Sequence, residues 1–140
     1  MWLIYAFLSA VTAALVAILG KLGLKDVDPT LATTIRSIIM AGFLVITSLF
    51  LKKFENFSLH SFSLKDWNLI ILSGVAGALS WLFYFLALKY GVTTKVVAID
   101  RLSIVFVVVL AALFLGESFG WRVALGAVFI SLGALLISIK

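Results

Sequence analysis

Residues 67–88 have the sequence WNLIILSGVAGALSWLFYFLAL, which contains no charged side chain. As an α-helix this run extends about 33 Å, enough to cross the roughly 30 Å hydrocarbon core of a lipid bilayer. A surface helix of a soluble protein carries a polar face, and this run has none that continues along its length. The stretch therefore predicts a transmembrane helix.

Four further segments of the same character lie on either side of this run. They cover residues 2–20, 30–51, 96–115 and 121–139. Together the five segments take up most of the 140-residue chain and leave short connections. We therefore expect an all-α integral membrane protein, a single domain of residues 1–140 with five transmembrane helices.

The composition excludes several classes of protein. Apolar and aromatic residues make up 64% of the chain and charged residues 12%, whereas soluble domains carry about 45–50% and about 25%. There is no cysteine and one histidine, so thiolate and histidine-rich metal sites are excluded. The net charge of +5 suits lipid headgroups better than nucleic acid in so apolar a chain. We expect no enzyme, no metal or other cofactor, and no nucleic-acid partner.

The distribution of basic residues leaves the membrane orientation open. The side of the N-terminus holds four basic side chains: Lys52, Lys53, Lys65 and Arg122. The opposite side holds five: Lys21, Lys25, Lys89, Lys95 and Lys140. A protein with one orientation normally shows a clear excess on its cytoplasmic side. The near tie is compatible with weaker orienting signals, or with dual topology, in which copies insert both ways and pair antiparallel.

Three charged side chains, Arg36, Asp100 and Arg101, lie inside predicted spans. Each costs about 2.5–3.5 kcal/mol at the centre of a transmembrane helix. Arg36 and Asp100 lie roughly 6–9 Å below the same membrane surface, and Trp81 and Tyr84 reach a similar level. We expect these five residues to form one layer that lines a solute path. The alternative is a buried ion network that fixes the register of the helices.

Small residues follow one another along the fifth span, where they permit close helix packing. They include Gly126, Ala127, Ser131, Gly133 and Ala134. Spacing alone leaves open whether this face packs within the subunit or against a second copy. The last helix is a natural dimer contact.

The order of several short motifs resembles the EamA-type repeat of the drug/metabolite transporter superfamily. The motifs are Gly20-Lys21-Leu22-Gly23, Asp28-Pro29 before a span with Arg36, Phe114-Leu115-Gly116-Glu117, and a last helix with Gly126 and Gly133. Most members of that superfamily carry two such repeats, inverted with respect to each other, around a central cavity. This chain has one, so the resemblance implies an antiparallel homodimer with ten helices.

The resemblance implies a small-metabolite transporter that works by alternating access. Amino acids or other zwitterionic or amphipathic solutes suit the mixture of arginine and aspartate in its spans. Two alternatives remain: an accessory subunit or flippase for a lipid-linked headgroup, and a membrane assembly protein that transports nothing. The expected location is the inner or plasma membrane of a prokaryotic cell.

Overall fold

The computed structural model describes residues 1–55, 58, 62–118 and 120–139, so Lys140 lies outside the described residues. The regular elements of the described chain are all helices. These are α1 (Trp2–Gly23), α2 (Pro29–Phe50), α3 (Leu64–Tyr90), α4 (Thr93–Asp100), α5 (Ser103–Leu110), a π-helical turn (Ala111–Leu115) and α6 (Trp121–Ser138).

Five segments of the described chain are long and apolar enough to cross a membrane. Four of them are α1, α2, α3 and α6, and the fifth is the continuous stretch Thr93–Leu115. The five predicted spans are thereby confirmed. Most large apolar side chains on these helices are exposed, as expected where lipid takes the place of a protein core.

The chain forms two compact units. One contains Met1–Lys21 together with Tyr90–Lys140, and the other is Leu22–Lys89. The second unit holds the pair of helices α2 and α3, whereas α4, α5 and α6 belong to the first. Within the first unit both α4 and α5 pack against α6. The single domain expected from the sequence stays a prediction.

The start of α2 is fixed by a proline and an aspartate cap. Pro29 is the first helical residue, where its missing N–H group costs nothing. The Asp28 carboxylate accepts hydrogen bonds from the N–H groups of Thr30 (2.9 Å) and Leu31 (3.0 Å). These bonds satisfy two of the donors that every helix leaves free at its beginning.

A capping box starts α3 three residues before the predicted boundary. The Ser63 hydroxyl donates to Asp66 Oδ2 (2.7 Å) and accepts from the Asp66 N–H (3.2 Å), and the Ser63 N–H donates to the same Oδ2 (3.0 Å). This reciprocal pairing is typical of a helix N-terminus. Trp67 therefore lies in the first turn of the helix and not at its first residue.

Lys89, near the end of α3, holds the connection between α1 and α2. Its ammonium donates to the carbonyl groups of Leu24 (2.6 Å), Lys25 (3.0 Å) and Val27 (3.2 Å). Leu24 is almost fully buried. Backbone carbonyl groups outside regular structure lack hydrogen-bond partners within their own segment. Here the Lys89 ammonium is the donor to three of them.

Two other lysines make similar bonds in the other unit. Lys21 Nζ donates to the Gly91 carbonyl (2.8 Å), and Lys95 Nζ donates to the Ser138 carbonyl (3.0 Å) at the end of α6. Lys95 lies in the first turn of α4. In the structure its charge binds a helix terminus, because the last carbonyl groups of a helix lack partners within it.

The fourth span is irregular where its charged residues occur. The Arg101 N–H is shared between the carbonyl groups of Val97 and Ala98 (3.2 Å each), and the Leu102 N–H donates to Ile99 (2.9 Å). These bonds to the third residue back form a tight turn between α4 and α5. The fourth predicted span, residues 96–115, is therefore helical with one tight turn at Arg101.

The same span ends in a conformation that requires glycine. Gly116 has φ +66°, in the left-handed region, and the Glu117 N–H donates to the Ala111 carbonyl (3.3 Å). A side chain at this position would strain the backbone, although a Cβ atom would meet nothing within 4 Å. The Leu115-Gly116-Glu117 segment of the sequence therefore marks the end of a helix.

Candidate functional site

Arg36 of α2 stacks on an aromatic side chain of α3. Its guanidinium carbon lies 3.7 Å from the centroid of the Trp81 ring and 5.2 Å from that of Phe85. A cation over the face of a tryptophan within about 6 Å is attracted by the electrons of the ring, and the attraction is strongest away from water. Trp81 therefore stabilises a charge that lipid alone would not accept.

Three aromatic rings of α3 form the surroundings of this cation. Trp81 contacts Tyr84 at 5.6 Å and Phe85 at 6.1 Å between centroids, and the Tyr84 and Phe85 rings are 6.2 Å apart. Residues three and four apart share one face of a helix, which brings the rings together. Phe85 is not among the predicted site residues, although its position four residues after Trp81 indicates that it shares a helix face with Trp81.

The guanidinium of Arg36 keeps unsatisfied hydrogen-bonding capacity. Its Nη1 atom is buried and has no hydrogen-bond partner among the described residues. The side chain as a whole is half-buried, so part of the group remains accessible. Stacking occupies the flat face of the guanidinium, whereas its five N–H bonds point outward in the plane of the group. Arg36 thus carries a positive charge and an Nη1 donor that has no acceptor among the described residues.

The hydroxyl groups near Arg36 donate to their own helix. Thr33 donates to the Pro29 carbonyl (2.7 Å), and Ser37 donates to the Thr33 carbonyl (2.8 Å). Such bonds satisfy polar side chains inside a membrane span. Among the described side chains on this part of α2, Arg36 is therefore the one that most lacks hydrogen-bond acceptors.

Asp100 and Arg101 belong to the other unit, and both are exposed. Asp100 is the last residue of α4, and Arg101 lies in the tight turn that follows. Adjacent residues of a helix point about 100° apart, so the two charges face different directions. Arg36, Trp81 and Tyr84 are thus brought together within one unit. A common layer with Asp100 and Arg101 stays a prediction.

The small residues of α6 divide into two groups. Ala127 and Ser131 line a cleft of about 300 Å³ beside valines of α5, and Ala134 is buried. Gly126 and Gly133 lie about 100° further round the helix. A Cβ atom on either glycine would meet nothing within 4 Å. Ala134 therefore packs within the subunit, whereas the packing role expected of Gly126, Ala127, Ser131 and Gly133 stays a prediction.

In the described part of the chain, no group of three or more histidine, cysteine, aspartate or glutamate side chains is found in a position to hold a metal ion.

These features define an integral, multi-pass membrane protein with helices suited to a lipid bilayer. The chain belongs to the EamA-like transporter family, which it matches over residues 1–139. It is also similar to a protein from Sinorhizobium sp named "Uncharacterized transporter in cobO 3'region", with 37% identity over 142 residues that cover 99% of this chain and 96% of the relative. No solved structure matches the chain. The resemblance inferred from the short motifs, to a single-repeat member of the drug/metabolite transporter superfamily, is confirmed.

Proposed function

We propose that the protein transports a small metabolite by alternating access, as an antiparallel homodimer. One chain supplies five spans of the family type, and the relative, matched over 96% of its own length, is itself named as a transporter. Many transporters place the solute between two inverted halves that rock about it. Two copies inserted in opposite directions supply both halves.

The solute path in this proposal involves Arg36, Asp100, Arg101, Trp81 and Tyr84. The observation that carries most weight is the Arg36 guanidinium, which is stacked on Trp81 and retains a buried donor without a partner among the described residues. The interrupted helix at Asp100 and Arg101 adds support, because transporters often bind their solutes where a membrane helix is broken. Both signs of charge suit a zwitterion such as an amino acid.

Uptake by reconstituted protein tests the transport function. Proteoliposomes containing the protein are assayed with a panel of radiolabelled amino acids and other small zwitterions, and protein-free liposomes give the background. We expect saturable uptake of at least one solute. Asp100→Asn and Arg101→Gln should reduce that uptake, whereas Arg122→Gln, at the start of α6, should not. Wild-type rates in both path variants would assign these charges to structure alone.

Cysteine labelling tests the antiparallel arrangement, and the chain contains no cysteine of its own. A thiol introduced by Lys53→Cys, after α2, is treated in intact cells with a membrane-impermeant maleimide. Dual insertion predicts partial labelling from outside and labelling of the remainder once the membrane is opened. Lys25→Cys, before α2, should behave in the same way. Strictly one-sided and opposite labelling of the two variants would contradict the arrangement.

The open glycine face of α6 supplies a test of the dimer contact. Gly133→Leu places a bulky side chain where the structure has space, so folding of the subunit should be little affected. If this face contacts the second copy, the variant shifts the protein from dimer to monomer in detergent at equal concentration. Leu135→Phe, exposed and about 160° round the same helix from Gly133, is the matched control. An unchanged dimer in Gly133→Leu would place the contact elsewhere.

A further inference from the structure

We infer that Arg36 is the anion-binding residue of this protein and that it holds an oxyanion, such as a carboxylate, with the edge of its guanidinium while Trp81 covers the face. The inference rests on the proposed function in one respect, because it assigns the oxyanion to the transported solute. It names the ligand class for one side chain, which the fold and the family leave open.

The first argument is the mismatch between the charge of Arg36 and its hydrogen bonds. Trp81, at 3.7 Å, compensates part of the loss of hydration, but an aromatic face accepts no in-plane N–H bond. A buried donor left without an acceptor is costly, and Nη1 is such a donor among the described residues. An oxyanion supplies both a countercharge and lone pairs, and so satisfies both demands.

The second argument concerns the shape of the ligand. A guanidinium presents its N–H bonds as a planar fork, which matches the two oxygens of a carboxylate or two oxygens of a phosphate. The stack on Trp81 fixes the plane of this fork, so less freedom is lost when a ligand binds. Tyr84 and Phe85, next to Trp81, provide aromatic surface for an apolar group attached to the anion.

The third argument concerns the source of the oxyanion. Arg36 is seven residues after Pro29, about 10 Å along the axis of α2. An arginine can extend towards the phosphates at the membrane surface, but this guanidinium is held against the Trp81 ring of α3, where a soluble ligand can approach its edge. The observations therefore favour a soluble carboxylate over a lipid headgroup, although the chemistry of binding is the same for both.

Trp81 provides a spectroscopic reporter of binding. Replacing Trp2, Trp67 and Trp121 with phenylalanine leaves Trp81 as the sole tryptophan, and its fluorescence responds to changes at the adjacent guanidinium. The protein is purified in dodecyl maltoside, which contains no phosphate, and titrated with sodium benzoate, a planar carboxylate with an apolar ring. Benzamide, which has nearly the same shape and no charge, is the control ligand.

We expect a saturable change in fluorescence with benzoate and a response at least about tenfold weaker with benzamide. Arg36→Gln should abolish the benzoate response. Arg36→Lys, which keeps the charge and loses the fork, should weaken it. Arg122→Gln should leave it unchanged. Isothermal titration of the protein with all four tryptophans repeats the comparison, should the three phenylalanine replacements impair folding.

A second titration distinguishes the two sources of oxyanion. Phosphatidylglycerol is added to the detergent-purified protein before benzoate. A response that requires the lipid and is not competed by benzoate would identify a headgroup as the ligand and overturn the assignment to a solute. The absence of any response, or an equal response in Arg36→Gln, would overturn the inference as a whole.

Uptake measurements separate this inference from the proposed function. If benzoate binds through Arg36 while no solute is transported, the binding site stands and the transport proposal fails. If a solute is transported and Arg36→Gln neither loses benzoate binding nor alters the Michaelis constant, transport stands and the inference about Arg36 fails.

Discussion

Removing the charge of Lys89 should loosen the connection between α1 and α2. The Lys89 ammonium binds three backbone carbonyl groups of that connection, those of Leu24, Lys25 and Val27. Lys89→Met keeps the length of the aliphatic side chain and deletes the donor. The variant therefore tests the hydrogen bonds with little change in packing.

The magnitude follows from the surroundings of the three acceptors. A hydrogen bond to a charged group contributes about 1.5–3 kcal/mol when it is protected from water. The bond to the Leu24 carbonyl is the shortest, at 2.6 Å, and is partly buried, so we count it fully. The bonds to Lys25 and Val27 are exposed, and water replaces much of what they lose. We expect Lys89→Met to lower the free energy of unfolding by about 2–4 kcal/mol.

Two measurements check this expectation. Unfolding in mixed micelles of dodecyl maltoside and sodium dodecyl sulfate, followed by circular dichroism, gives the change in stability. Hydrogen–deuterium exchange resolves its location, which should be residues 24–28. Lys65→Met is the matched control, because it removes an exposed lysine from the opposite end of the same helix. A stability of Lys89→Met equal to that of Lys65→Met, with unchanged exchange at residues 24–28, would refute the reasoning.

Three further perturbations have defined outcomes. Asp28→Ala removes the cap of α2 and should cost about 1 kcal/mol in the same unfolding assay, whereas Asp28→Asn should retain most of the stability. Gly116→Ala should cost about 1–2 kcal/mol from its left-handed backbone, against little for Gly120→Ala, where φ is −76°; equal effects would contradict this account. Lys95→Met should speed hydrogen exchange at the last turn of α6 and leave α2 unchanged, and unaltered exchange in that turn would show that its bond to the Ser138 carbonyl is dispensable.

The five spans were predictable because membrane helices depend on composition over about 20 residues. Their ends depend on finer signals. Pro29 marks the start of α2 correctly, since proline fits only the first turn of a helix. The capping box of Ser63 and Asp66 starts α3 earlier than hydropathy alone predicts. A hydropathy criterion misses this start because the residues of a capping box are polar.

The sequence singles out Arg36 and Trp81, which the structure brings into contact, but it does not give the form of that contact. The cost of burying charge in lipid singles out Arg36, and depth along the helix brings Trp81 to the same level. Stacking depends on the rotation of α2 against α3, which the sequence pattern does not define. The interruption at Arg101 was also missed, since valine and isoleucine continue on both sides of it and neither proline nor glycine marks it.

Three lysines of this protein act in one way while the chain inserts into the membrane and in another once it has folded. The insertion machinery meets every lysine of the unfolded chain, and to it the two sides of the membrane are nearly matched. In the folded protein Lys21, Lys89 and Lys95 are engaged with carbonyl groups of the chain itself. These bonds leave the positive charge of each ammonium in place but occupy some of its N–H donors, so fewer donors remain for the phosphate groups of anionic lipids.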